Sequence, residues 1–294
     1  MWFRRNGQRD EPTLVLSGGG ALGALQVGIL RVLMRRGFQP ARIVGTSVGA
    51  LNGAFLAFNP DVSGVERLAE IWRTLERDRF VHFNPVRIAY QLASRQSHLF
   101  NNEFLQGLIA DHAPADDFAA TQVPLFITAT NLTSGHKHVF SEGAVSQAVL
   151  ASTAIPGLFP PVEIDGEAYL DGGVLANLDL ETAVDLGARE ILAIDLSHCF
   201  NHPQPTNLLD IVTRSVDIMM RERVEHDLAL VGKRARVTLI QPKIAEGPRV
   251  GDLRHVSELI EQGEAFGEEV MDQCFDRRGR LRPGVISPST TAAA

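Results

Sequence analysis

"VGTSVGALNG", residues 44–53, places one hydroxyl between two glycines at the end of an apolar run. Ser47 is either a nucleophile on a strained turn or a small residue in a glycine-rich corner. With 26 glycines in 294 residues, a G-x-S-x-G match is expected about 0.1 times by chance in such a composition, so the surroundings of the motif decide. A nucleophile elbow needs a strand before the serine and a helix after it, and glycines flanking the serine remove side chains that would collide in the sharp turn. Ile43 and Val44 supply the strand end, residues 50–54 the helix, and Gly45 and Gly49 the missing side chains. Ser47 then stands at a helix N-terminus, where the helix dipole favours developing negative charge.

Outward from the elbow, short apolar runs alternate with longer helical patterns. Residues 14–17 read as a buried strand, 22–36 as a helix, 43–44 as the end of a second strand and 48–58 as a second helix. Further strands fall at 124–129, 191–195 and 237–240, and further helices at 208–231 and 256–274. Strands interleaved with helices predict an α/β fold with a mainly parallel central sheet covered on both faces. One domain is expected over 13–275, preceded by a flexible segment at 1–12 and followed by a C-terminal tail at 276–294 that ends in SPSTTAAA. Residues 79–110 break the rhythm with Phe80, Phe83, Tyr90, Phe100 and Phe104, which suit an aromatic lid or ligand channel as well as ordinary helix packing. In the 208–231 helix, Ile211, Val212, Ser215, Ile218 and Met219 recur at roughly helical spacing and read as a core face.

Composition narrows the classes. The chain is 45% hydrophobic and 21% charged with a net charge of −7, so no global field attracts nucleic acid or anionic headgroups. Cys199 and Cys274 form neither a C-x-x-C pair nor a Cys/His cluster, which predicts no metal site and no disulfide framework and fits a reducing compartment. The opening MWFRRNGQRD lacks an apolar run behind it, so a cytoplasmic protein is expected. Residues 14–34 are long enough to raise a membrane span, but four glycines in its first ten positions, with Gln26 and Arg31, favour strand, loop and buried helix.

A second motif, SGGGALG at 17–23, follows the first strand. Gly18, Gly20 and Gly23 satisfy the spacing of a dinucleotide fingerprint, yet the next strand ends in Val44-Gly45-Thr46-Ser47 with no carboxylate for a ribose. No cofactor is expected, and the same exposed N–H groups can hold an oxyanion. A right-handed crossover by the intervening helix brings both loops to one sheet edge. For a base, His198, His202, His226 and His255 lack distinctive surroundings, whereas YLDGGVLAN at 169–177 sets Asp171 before Gly172 and Gly173. Asp165-Gly166 lies between two alternating segments and reads as a hairpin turn, leaving Asp171 for another task.

Three motifs in order, SGGGALG, GTSVG and DGG, with ASTAIPGLFPPV before the last, resemble the patatin-like phospholipase family. The resemblance spans about residues 13–240 and implies a three-layer α/β/α sandwich that hydrolyses lipid acyl esters with a serine-aspartate dyad, without histidine or metal. It implies that Ser47 is the nucleophile, Asp171 the general base, and the N–H groups of Gly18, Gly19, Gly20, Ala21, Leu22 and Gly23 the oxyanion hole. Gly45, Gly49, Gly172, Gly173 and Asn177 match supporting positions. Many members carry arginine or lysine where this chain has Leu22, and proline where it has Asp179, a change expected to alter only the loop. The implied partner is a lipid or acyl-ester substrate, with transient contact at a membrane surface and no nucleic acid. A Ser-His-Asp esterase or acyltransferase, a non-catalytic lipid-binding or scaffold protein and a nucleotide-binding module are the alternatives.

Overall fold

The alternating runs assemble into one sheet in the computed structural model, which describes residues 11–77, 103–113, 115–199, 206, 208–244 and 253–287. The first half runs β1 (Thr13–Leu16), α1 (Gly23–Arg35), β2 (Arg42–Thr46), α2 (Val48–Phe58), α3 (Val62–Arg77) and α4 (Glu103–His112). Then come β3 (Leu125–Asn131), β4 (Lys137–Phe140), α5 (Val145–Ser152), β5 (Val162–Ile164) and β6 (Glu167–Asp171). The chain continues through α6 (Gly173–Ala176), α7 (Leu180–Asp185), β7 (Glu190–Ile194), α8 (Leu208–Val231), β8 (Arg236–Ile240), α9 (Val256–Cys274) and β9 (Gly284–Ile286).

The strand order is β5-β6-β3-β2-β1-β7-β8-β9, with β4 also on β3. Strands from β3 across to β9 are parallel, and β4, β5 and β6 are antiparallel additions. Alternation along β1 sorts the layers: Leu14 and Leu16 join a core with α1, α2, α3 and α9, while Val15 faces the opposite core with α7 and α8. This is the expected α/β/α sandwich. Strand order reverses direction at β1, so the crevice beyond the carboxyl ends of the parallel strands is where such a sheet presents a site.

The 14–34 stretch is a strand, a loop and a helix, as its glycines imply, and no helix among the described residues is long and apolar enough to cross a membrane. Asp165 and Gly166 both take positive φ, 52° and 82°, as a two-residue hairpin turn of type I′ requires. Two expectations need correction. Residues beyond 275 are not all tail: β9 pairs with β8 through Thr238–Gly284 to Ile240–Ile286, and its three residues are too short a run to register as a strand beside Pro283. The apolar positions of α8 are not core-facing: Ile211, Val212, Ile218 and Met219 are exposed, and the helix turns Val224 and Val231 to the sheet instead. The aromatic segment lies outside the described residues up to position 102; from Glu103 it continues as α4.

The face carrying α1 is fixed by a helix pair in near backbone contact. A Cβ on Gly28 would lie 2.1 Å from the carbonyl oxygen of Ile260, and one on Gly263 would lie 2.0 Å from that of Leu25. Neither atom can move without displacing a helix. Gly263→Ala should therefore destabilise the protein by about 1–3 kcal/mol through overpacking, read as a lowered urea midpoint with an unchanged denaturant slope.

Candidate active site

Ser47 is the residue between β2 and α2, and its backbone has φ 54° and ψ −124°. A positive φ at a non-glycine residue is a strained conformation costing about 1–3 kcal/mol, so neighbouring bonds must hold it. Its carbonyl accepts from Ala50 N and Leu51 N at 2.9 and 3.2 Å, and its amide donates to Ser152 Oγ at 2.8 Å. The flanking glycines are required by space: a Cβ on Gly45 would sit 2.5 Å from Gly49 O, and one on Gly49 would sit 2.3 Å from Leu16 O. The elbow thus presses directly on the end of β1.

Asp171 reaches the same point from the other side of β3. Thr46 pairs with Thr128 on β3, and Ala129, one residue further, pairs with Asp171 on β6. Ser47 Oγ donates to Asp171 Oδ2 at 2.6 Å, and Gly173 N donates to Oδ1 at 2.7 Å. Both side chains are buried. Burial pushes the Asp171 carboxyl up to about 6, while the bonds from Ser47 and Gly173 work in the opposite direction. Gly172 lets the chain turn here, since its Cβ would meet Thr128 O at 2.2 Å.

The glycine loop lies beside them. The Cβ that Gly18 lacks would fall 3.0 Å from Ser47 Cβ and 2.5 Å from Asn177 Oδ1. Of the six amides expected to point into the site, three are already used. Gly18 N donates to Asn177 O at 3.0 Å and Leu22 N to Gly19 O at 3.1 Å, while Gly23 N bonds to Gly20 O and Ala21 O. The amides of Gly19, Gly20 and Ala21 have no acceptor among the described residues, as the first N–H groups of a helix do not. Leu22 turns its side chain into the main core, so at this position the loop offers packing to α1 and not a group to the site. Asn177 contributes its backbone carbonyl to the loop and its side-chain oxygen to the wall between Gly18 and Gly173.

Three supporting groups were invisible in the sequence. Ser152, which accepts from the Ser47 amide, donates to Thr128 O at 2.6 Å. Asp179, expected to affect only a loop, is 1% exposed and accepts from Thr128 Oγ1 at 2.8 Å, Thr182 Oγ1 at 2.7 Å and Lys137 Nζ at 2.9 Å. A continuous path therefore runs from a partly buried ion pair through Thr128 and Ser152 to the elbow. On the other face, Asn52 donates to Gly23 O and Gln26 Oε1 and accepts from Trp72 Nε1, all within 3.0 Å, tying α1, α2 and α3 beneath the glycine loop. Of the later histidines, His198 is engaged elsewhere: its Nδ1 lies 2.9 Å from Asp195 Oδ2 and 3.0 Å from Ser197 Oγ. Among the described residues, no cluster of three or more potential ligands fits a metal ion.

A strained serine at a strand-to-helix elbow, bonded to a buried carboxylate beside amides that have no acceptor among the described residues, defines an α/β protein of the serine-elbow class. The chain belongs to the patatin-like phospholipase family, whose sequence profile matches residues 14–184, more than half its length. Patatin-like phospholipase domain-containing protein 7 of Rattus norvegicus is 33% identical over 185 residues, covering 62% of this chain and 13% of that protein. Lysophospholipase NTE1 of Mycosarcoma maydis is 28% identical over 192 residues, covering 62% of this chain and 9% of that protein. The chain thus spans only a small part of these relatives. Among solved structures, VipD from Legionella pneumophila superposes with a TM-score of 0.46 at 16% identity, over 90% of this chain and 67% of that one.

The raised Asp171 value has a consequence for folding. The group holds its proton to about pH 6 when folded and to 3.8 when unfolded, so between these values the folded state binds more protons and stability falls as pH rises. Above pH 6 the full difference of about 3 kcal/mol weighs against the native state. Asp171→Asn, which carries no charge, should melt higher than the parent at pH 8 and lose that advantage toward pH 4, as scanning calorimetry across this window will register.

Proposed function

We propose that the protein is a lipid acyl hydrolase that cleaves carboxylic esters of phospholipids, lysophospholipids or related lipids through Ser47 and Asp171. The reading rests on one observation above all, the 2.6 Å bond from Ser47 Oγ to Asp171 Oδ2. Membership of the patatin-like phospholipase family supports the lipid substrate, and the names of the relatives, a phospholipase-domain protein and a lysophospholipase, point the same way.

In the proposed reaction Ser47 Oγ attacks the ester carbonyl carbon as its proton passes to Asp171 Oδ2. The amides of Gly19, Gly20 and Ala21 receive the carbonyl oxygen as it becomes an oxyanion, with the N-terminal end of α2 adding favourable potential. Collapse of the tetrahedral intermediate breaks the bond to the alcohol oxygen, which leaves with the proton held by Asp171. Water then attacks the acyl-serine, Asp171 takes its proton, and the fatty acid departs as that proton returns to Ser47. No cofactor or metal enters these steps. A carboxyl group near 6 suits the task, being a stronger base than an ordinary aspartate yet still largely ionised at neutral pH.

Ser47→Ala and Asp171→Asn should each lower lipid ester hydrolysis by about 10³-fold or more, and fluorophosphonate labelling should be lost in Ser47→Ala. Retention of a tenth of parental activity by either variant overturns the dyad, and an unlabelled, inactive parent favours a binding protein. For the parent, kcat/KM should climb with pH to a plateau, with its acid-side midpoint at about 6. A midpoint unmoved from the range of free aspartate, about 4, would remove Asp171 as the base.

A further inference from the structure

Ten large apolar residues are exposed among the described residues, and five of them, Ile211, Val212, Val216, Ile218 and Met219, lie within nine positions of α8. Single exposed apolar side chains are ordinary; a contiguous cluster marks a contact surface. The helix is also unlike itself along its length. Val224, Asp227 and Val231 are the buried positions among the described side chains of α8, which sets the inward face. At 100° per residue, the outward arc carries Ile211, Ser215, Ile218 and Met219 in the first half, then Glu222, Glu225, His226 and Ala229 in the second. A face meant only for water would be polar throughout.

The apolar half lies against the candidate site. The methyl carbon of Met220 comes within 3.4 Å of where a Cβ on Gly173 would be, and Gly173 is the residue whose amide bonds to Asp171. Its neighbour Val174 is half exposed. Met220, on the inward side of α8, thus sets the stretch that carries the patch beside the segment that holds Asp171 and the exposed Val174.

We propose that the outward face of α8 over residues 211–219, with Val174, is the surface by which this protein sits on a neutral lipid layer, placing the Ser47 rim against the ester region of that layer. The inference rests on the lipid acyl hydrolase reading, because a site that accepts esters of insoluble lipids has to meet them at their interface. The chemistry of the patch selects the kind of lipid. Its exposed positions, 211, 212, 215, 216, 218 and 219, hold no charged residue, and the chain carries a net charge of −7, so the patch is not built to attract anionic headgroups. Attachment comes from shallow burial of aliphatic side chains over a helical stretch of about 12 Å, and added salt does not release it.

The test compares the full chain with Ile211→Asp/Met219→Asp, and with Leu230→Asp, an exposed position in the polar half of the same helix. Flotation with phosphatidylcholine vesicles is measured at low and high salt, alongside hydrolysis of vesicle lipid and of a soluble short-chain ester. Circular dichroism verifies the fold, and Ile211→Ser/Met219→Ser replaces the charged pair should that pair misfold. The parent and Leu230→Asp should float equally at both salt concentrations. The double variant should bind vesicles and hydrolyse their lipid about tenfold less or worse, with soluble-ester hydrolysis within twofold of the parent. Equal vesicle binding by the double variant and the parent overturns the proposal. So does binding confined to anionic vesicles and lost in salt, or failure of the parent to bind while the double substitution converts a dimer to a monomer. A parent that floats through this face but hydrolyses neither ester refutes the hydrolase reading and leaves the docking surface standing.

Discussion

The bond between Ser47 and Asp171 closes 124 residues of chain, and it exists only because the strand register is right. Ser47 follows Thr46, which is level with Thr128; Asp171 is level with Ala129, the next residue along β3. Two strand spacings of about 4.8 Å therefore separate the two backbones, a gap that the two side chains span over a position occupied by alanine. A slip of one residue in β6 would turn Asp171 to the opposite face of the sheet. The hairpin turn at Asp165-Gly166 helps fix that register from one side. On the other, Thr130 Oγ1 donates to the Asp171 carbonyl at 3.0 Å and the Asp171 amide donates to Ala154 O.

Two unfavourable features sit side by side at this point, a serine with positive φ and a buried carboxylate. Both persist because what surrounds them is over-determined. The strain at Ser47 is held by two backbone–backbone bonds to its carbonyl, by the bond from its amide to Ser152 Oγ and by α2, buried along its whole length. The path from Lys137 and Asp179 through Thr128 ends at Ser152, which stands on α5 beside the main core and fixes the Ser47 amide. Asp179 does this while capping α7, accepting from Thr182 N at 3.0 Å. Asp179 is a charged anchor that joins the entry of α7 to the elbow.

Much of this was legible in the sequence because it is dictated by local contact. Gly45 and Gly49 mark the elbow since any side chain there would strike backbone, and Asp165 declares itself a turn by the alternation on each side of it. The sheet's parallel core follows from apolar runs bounded by helices. What escaped is non-local. Ser152 and Asp179 are ordinary small or acidic residues until the fold puts them within 3 Å of Thr128. A three-residue edge strand such as β9 leaves no periodic trace. Leu22 is read from its neighbours as part of a donor loop, yet the 3₁₀ turn at Gly20–Leu22 swings it into the core. The α8 case shows the limit of periodicity itself: spacing identifies an apolar stripe, but not whether protein covers it.

The two oxygens of Asp171 have different partners, so that burial can raise the group without disabling it for the base role proposed above. Desolvation alone favours the protonated acid, and an acid that never ionises can take no proton from serine. Gly173 N donates to Oδ1 and stabilises the charge, leaving Oδ2 directed at Ser47. The opposing effects leave the group at about 6, above an ordinary aspartate and below neutral pH. The glycine pair after Asp171 therefore does more than turn the chain. Gly172 admits the backbone against Thr128 O, and that turn brings the next amide within 2.7 Å of the carboxylate. Were that amide directed elsewhere, the same burial would carry the carboxyl further upward, toward protonation at the pH where the proposed reaction needs it as a base.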